Sequence, residues 1–409
     1  MSSGATNAPN TPNPSSDKIV RKAGGSNTAL YAVVAVVVVI VVVLGAGYGL
    51  GWFGKSSSSG STGTGGCTSP ASATVTGAGS TLVAPLMFQW ASAYTASTVD
   101  YSSVGSGAGI TQITAKTVDY GASDAPLTPT QRAAIPSPGV LTIPESIGGA
   151  VPIYNLPGLA QTLKFTGSIL AAIYLGQITN WNSTALQAVN PGVTLPNAAI
   201  VVVHRSDGSG TTFIWTSFLS NENATWKSTV GYATSVNWPV GVGAKGNAGV
   251  TETVKSTADA IGYVDINYAL TDSVSFGSVQ NPAGNFILAN ITNIASAVKD
   301  AKAVFPAASG DWYNFTVENS PGASDYPISS FTYVFVYSDV GTAYGSSYTQ
   351  GDAENLVNFL SWVVSGGTDG QSYSSALYYV PLSPAATTFD LAAIASITYN
   401  GASIPVCIP

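Results

Sequence analysis

The chain has 409 residues; 45 % are hydrophobic and only 8 % charged, against about 25 % charged in an ordinary soluble protein. A net charge of −7 with 13 Lys and Arg excludes a basic footprint for nucleic acid. A single histidine, His204, and two cysteines leave no metal-ligand spacing. The length predicts two lobes plus extra segments, and any bound anion has to be held by local groups.

Residues 1–28 form a polar tail carrying Lys18, Arg21 and Lys22. Residues 29–50, ALYAVVAVVVVIVVVLGAGYGL, are apolar over a length that spans a bilayer. The preceding cations stay in the cytoplasm by the positive-inside rule, which puts the rest of the chain outside. The run exceeds a usual signal-peptide core and lacks a small-x-small cleavage site, so an uncleaved anchor is expected. Residues 51–69 follow as a stalk rich in Ser and Gly. GLGWFGKS, residues 49–56, matches a phosphate-loop pattern, but no strand precedes it and no helix follows, so nucleotide binding is not expected there. Cys67 and Cys407 flank the outer part; they either form one disulfide tying its ends together or are two unrelated thiols. Sequons at Asn182, Asn223, Asn290 and Asn314 agree with an exterior location.

From about residue 70, short β-branched runs alternate with helical stretches. VTGAGSTLVAPLMFQWASAYTA (75–96) reads as a strand end, a glycine turn and a helix with Leu82, Leu86, Trp90 and Tyr94 on one face. VDYSSVGSGAGITQITAKT (99–117) and AAIVVVHRSDGSGTTFIWTSFLSN (198–221) repeat the scheme. Strands feeding helices through glycine turns predict α/β layers. ENLVNFLSWVVSGG (354–367) predicts another helix, stopped by Gly366 and Gly367.

Each glycine turn puts hydroxyls at a helix start: Ser80 and Thr81, Ser106, then Ser209 and Thr211. The first amides of a helix lack internal partners and the helix dipole is positive there. Three such starts meeting at one place would wrap an oxyanion in neutral donors; each alone is equally a cap or a turn. Arg205 adds one full positive charge with a forked geometry. Asp207 either holds Arg205 in place or caps the next helix. Asp124, in VDYGASDAPL (118–127), is either an N-cap or an acceptor for a proton on the anion. In the second role it would admit hydrogen phosphate and repel sulfate, which has no proton to give.

In that order, GAGSTLVAPLMFQW, VGSGAGITQI, VDYGASDAPL and HRSDGSGTTF resemble the phosphate-binding proteins of high-affinity phosphate ABC transporters. LAAIYLGQITNWN, VNWPVGVGAKGNAGV, AIGYVDINYA and YVPLSP extend the resemblance over about 70–385. It implies an α/β, two-lobed, class II periplasmic-binding-protein fold behind the N-terminal transmembrane helix. Residues 70–152 and 327–409 would form the first lobe and 153–326 the second. Carried over, Thr81, the Leu82 amide and Ser106 bind phosphate from the first lobe. Asp124 accepts its proton, while Arg205, Ser209, Gly210 and Thr211 complete the shell. Ser80 and Asp207 support them. Leu82 stands where the family commonly has an aromatic. The resemblance implies no cofactor and no catalysis, with partners in a phosphate permease and its ATPase. Other readings are a receptor for another oxyanion, a surface phosphatase, for which no nucleophile–base pair is evident, and a structural surface protein, which leaves four anion motifs in order unexplained.

Overall fold

In the computed structural model, which describes residues 74–301 and 304–406, each of the three glycine turns joins a strand to a helix. Strand β1 (Thr74–Gly79) leads to helix α1 (Ala84–Ala93), and β2 (Thr98–Ser103) to α2 (Ser106–Thr114). Next come β3 (Tyr120–Ser123) and the long β4 (Val140–Asn155). Strand β5 (Val201–Arg205) then leads to α3 (Gly210–Glu222). A fourth copy of the scheme follows, with β6 (Val242–Ala244) running into α4 (Gly246–Ser256). The chain then makes β7 (Ala260–Asp265), β8 (Ser329–Tyr337), α5 (Gln350–Val364) and α6 (Pro384–Ala395). The anchor at 29–50, the stalk, the motif at 49–56, Cys67 and Cys407 lie outside the described residues. Among those residues, no helix is long and apolar enough to cross a membrane.

The strands form one hydrogen-bonded ladder in the order β2-β1-β3-β8-β4-β7-β5-β6. Its two halves share β4, which is buried along its length up to Asn155. The first part of β4 pairs antiparallel with β8 and its last six residues pair antiparallel with β7. Either side of that shared strand, β1 runs parallel to β2 and β3, and β5 parallel to β6 and β7. This is the two-lobed α/β periplasmic-binding-protein-like architecture. A parallel strand needs a cover on both faces, which explains continuous apolar runs such as that of β5. Leu82, Leu86, Trp90 and Tyr94 are all buried, as their spacing predicts; each contributes about 1.5–3 kcal/mol of burial.

Two boundaries differ from expectation for local reasons. Helix α1 starts at Ala84 rather than at Thr81, because Ser80 Oγ takes the Leu82 and Val83 amides into a turn at 3.0 and 3.4 Å. Pro85, with no N–H to give, then falls in the first helical turn. Helix α5 starts at Gln350, where Thr349 and Asp352 make a capping box. Of the segments outside the sequence motifs, 304–328 is held by Trp312, whose ring packs against Phe305, Phe315 and Phe389.

Two of the carboxyls buried among the described residues have oxygens without a donor and titrate far above the ordinary range. Glu145 on β4 and Asp390 on α6 are fully buried. Glu145 Oε1 accepts from the Thr332 hydroxyl at 3.0 Å, while Glu145 Oε2 and both Asp390 oxygens meet no donor. Burial pushes Glu145 up to about 8 and Asp390 to about 9, the latter helped by the Glu145 charge. Both folded values lie above the unfolded ones. Their contribution to stability is therefore complete below the ordinary carboxyl range and is lost as pH rises through about 8 and 9. The thermal midpoint of the full-length protein is expected to fall between about pH 5 and pH 9, and Asp390→Asn to flatten that fall. An unchanged slope in the variant would show that Asp390 is ionised in the fold.

Candidate functional site

The carboxyl ends of the parallel strands in both halves point at one place, and the turns that follow them carry the charged and hydroxyl groups. Ser80 and Thr81 follow β1, Ser106 follows β2 and Asp124 follows β3. Arg205 ends β5, Ser209 to Thr211 open α3, and Asn247 lies in the first turn of α4. All of them are at most 8 % exposed.

Serine hydroxyls and backbone amides tie the two halves together. Ser106 Oγ accepts from the Gly210 N–H at 3.0 Å and from the Asp124 N–H at 3.4 Å. The Gly107 N–H donates to the Gly208 carbonyl at 2.9 Å. The turns approach so closely that a Cβ on Gly210 would stand 2.5 Å from Asp124 Oδ2. Ser209 caps α3 by accepting the Thr212 N–H at 3.0 Å. Asp207 is thereby relieved of capping, and it pairs with Arg205 instead.

That pair uses one edge of the guanidinium. Arg205 Nε donates to Asp207 Oδ1 at 2.8 Å and Nη2 donates to Asp207 Oδ2. Asp207 Oδ1 also accepts the Gly246 N–H at 3.0 Å. Burial raises the Asp207 pKa, but the hydrogen bonds and charge of Arg205 outweigh it, and the net shift is downward. The Nη1 side of Arg205 stands 3.5 Å from Thr211 Oγ1, so an edge of the fork is left for an anion.

Asp124 does not cap a helix; Thr128 caps the one that follows. Asp124 Oδ1 accepts the Ser80 hydroxyl. Burial raises its pKa to about 6, against the lowering effect of the Ser80 hydrogen bond and of the Arg205 charge. The Leu82 amide is turned back on Ser80 Oγ at 3.0 Å. His204 is not among the converging groups; its ring stacks on Trp238 with 4.8 Å between centres.

Several participants were not foreseen. Asn247 bonds to Thr81 and Thr211, Tyr263 to the Arg205 amide, and Tyr268 to the Thr81 carbonyl. The signal for Asn247 was the stretch GAKGNAGV, a strand–glycine–helix step like the other three, but its strand is only three residues long. A cavity of about 210 Å³ opens beside the cluster, lined by Thr81, Asp207, Lys245 and Tyr268 among others. A larger cavity, about 590 Å³, lies among Phe305, Phe331, Val380 and Ala386. It is apolar and offers an anion little beyond the Lys299 at its lining, whereas the smaller cavity touches the cluster through Thr81 and Asp207.

A PBP superfamily domain matches residues 66–366. The chain is 38 % identical over 322 residues to the phosphate-binding protein PstS of Xylella fastidiosa, covering 76 % of this chain and 82 % of that one. It is 34 % identical to the phosphate-binding protein PstS of Methanocaldococcus jannaschii, over 66 % of this chain and 72 % of that one. Among solved structures it resembles a phosphate-binding protein from Stenotrophomonas maltophilia, with a TM-score of 0.59 and 19 % identity over 78 % of this chain and 94 % of that one. A high-affinity periplasmic phosphate-binding protein solved with bound phosphate has the same TM-score at 20 % identity, over 77 % of this chain and 92 % of that one. At such identities the two structures speak for the fold.

The contact between Gly210 and Asp124 sets a measurable limit. Gly210→Ala should lower the unfolding free energy by about 1–3 kcal/mol, the usual cost of forcing a methyl into a packed site. Denaturant titration of the full-length variant checks this, and unaltered stability would mean that the turn has room to give.

Proposed function

The chain belongs to the phosphate-binding proteins of phosphate ABC transporters, and from that premise we propose that it closes its two lobes on inorganic phosphate outside the cell and hands it to a membrane permease. It is a solute-binding protein, not an enzyme, and it captures phosphate for ABC transport. In this reading the lobes are 70–152 with 327–409, and 153–326. The segment 29–50 tethers them to the membrane as a single-pass anchor with the binding part outside, and the permease with its ATPase is the partner. Of the sequon asparagines, Asn290 and Asn314 are exposed and Asn182 and Asn223 are half-buried.

The observation that carries the reading is the meeting of buried turns from both halves at one place, where Gly210 packs against Asp124 and donates its N–H to Ser106 Oγ. Thr81, Leu82 and Ser106 on one side, with Arg205, Ser209, Gly210 and Thr211 on the other, are the assigned phosphate ligands; in this structure the Leu82 and Gly210 amides are turned onto Ser80 and Ser106 Oγ and would have to turn to the anion. Asp124 is the acceptor for the proton of hydrogen phosphate. Ser80 positions Asp124, and Asp207 holds Arg205. Arg205 is the one full positive charge among the assigned ligands, and Asp207 already neutralises much of it. Uncharged donors therefore supply most of the attraction, in a buried setting where each is stronger than in water.

Two measurements test the assignment. Isothermal titration of full-length Arg205→Ala should show phosphate affinity reduced by at least about a hundredfold, since two charge-assisted bonds of about 1.5–3 kcal/mol each are removed. Wild-type affinity in that variant would place the site elsewhere. Asp124→Asn should narrow the preference for phosphate over sulfate by about tenfold. The wild-type preference should also shrink as pH falls through about 6, where Asp124 gains a proton and can donate to sulfate. A selectivity ratio that is flat across that range would refute the role given to Asp124.

A further inference from the structure

We propose that Asn247 sets the direction of the pocket hydroxyls: it fills the acceptor positions of Thr81 and Thr211, so that each threonine can meet a ligand only as a donor. The inference rests on the phosphate reading of the site and adds a positioning residue to it.

The orientation of the Asn247 amide is fixed by its own partners. The residue is fully buried in the first turn of α4. Its Oδ1 accepts the Asp265 N–H at 3.0 Å. A backbone N–H can only donate, so that end must be the oxygen and the other end must be the nitrogen. Nδ2 has two hydrogens and two acceptors in reach, Thr81 Oγ1 at 2.9 Å and Thr211 Oγ1 at 3.1 Å. The Asn247 backbone N–H adds a bond to Thr81 Oγ1 at 3.1 Å. The backbone N–H and both Nδ2 hydrogens of Asn247 are thereby committed, and no donor is left on it for a ligand.

A hydroxyl has one hydrogen and two lone pairs. Thr81 Oγ1 receives two N–H bonds, and both lone pairs are engaged. Thr211 Oγ1 receives Asn247 Nδ2 and, at 3.5 Å, Arg205 Nη1. What remains on each is the O–H. Ser106 is in the same condition, with the Gly210 and Asp124 amides on its oxygen. Three hydroxyls from three turns are therefore donors by construction, and none of them can accept a bond from a ligand proton. A ligand proton has to be accepted elsewhere, and the carboxylate of Asp124 is the acceptor assigned to it. Asn247 thus extends the discrimination beyond Asp124: it denies a second protonated oxygen any acceptor at Thr81 or Thr211. The same bonds join the halves of the ladder, because Thr81 follows β1 and Asn247 follows β6.

A double-mutant cycle on the full-length protein separates this role from simple packing. Phosphate affinity is measured by calorimetry for the wild type, Asn247→Ala, the pair Thr81→Val with Thr211→Val, and the triple variant. Loss of the directing bonds should weaken phosphate by about tenfold in Asn247→Ala, the scale of one or two hydrogen bonds. Without the threonine hydroxyls there is nothing left to direct, so adding Asn247→Ala to the valine pair should cost less than about twofold. An equal loss in both backgrounds would assign Asn247 to packing and overturn the proposal, as would undiminished affinity in Asn247→Ala. Should the alanine variant fail to fold, Asn247→Asp keeps the size but offers oxygens in place of the N–H donors, and the same non-additivity is expected. Absence of phosphate binding by the wild type would instead overturn the functional reading, and this inference with it.

Discussion

A site closed off from water depends on the direction of every hydrogen bond in it, because no solvent is at hand to correct a mismatch. In this protein the backbone enforces that direction first. Three successive carbonyls, those of Ser80, Thr81 and Leu82, accept the hydroxyls of Tyr101, Tyr268 and Tyr379 at 2.8, 2.6 and 2.6 Å. In a trans peptide the N–H points opposite to the preceding C=O. Pinning these carbonyls therefore aims the next three amides the other way, two of them, those of Leu82 and Val83, onto Ser80 Oγ. The tyrosines come from β2, from the residues after β7 and from the segment before α6. The turn is thus held by chain segments that are brought together only when the fold is complete.

The same constraint explains how a chain with 8 % charged residues can hold an anion. A bare arginine in a buried place would carry a heavy desolvation cost. Asp207 removes most of that cost by taking the Nε and Nη2 edge of Arg205, and is held in turn by the Gly246 amide. The remaining attraction is divided among amides and hydroxyls, none of which must be desolvated as an ion. Asp124 fits only because Ser80 and the Ser106 region give it partners; even so, its proton affinity rises. Selectivity and pH response therefore come from one arrangement.

The strand–turn–helix scheme was legible because glycine next to serine or threonine after a β-branched run has a direct geometric meaning. That scheme located β1 with α1, β2 with α2 and β5 with α3, and it brought Ser80, Thr81, Ser106, Arg205, Ser209 and Thr211 into view together. The expected strand at 198–203 became Val201–Arg205 because Ala198 and Ile200 bond instead to residues 179–181, a pairing across loops with no local signature. Asn247 was hidden for a related reason. Its strand is short, and its importance comes from partners 166 and 36 residues away in the chain. The tyrosines that pin the first turn carry no motif; a buried phenol and a buried carbonyl find each other only in three dimensions.

Leu82 shows what kind of variation such a site tolerates. It stands where the family commonly has an aromatic, yet its carbonyl is held by Tyr379 and its side chain is buried against the Gly148 backbone. What the pocket requires of this position is a peptide plane at a fixed angle, which any residue that packs there can supply. Gly210 is the opposite case: its amide serves Ser106 while the space beside its Cα is already taken by Asp124, so no side chain is admissible. A site assembled mainly from peptide groups thus leaves its sequence free at some positions and severely limited at others. The limited positions are those where two turns touch, and that is why short glycine- and serine-bearing motifs disclosed the site while the residues packed behind them did not.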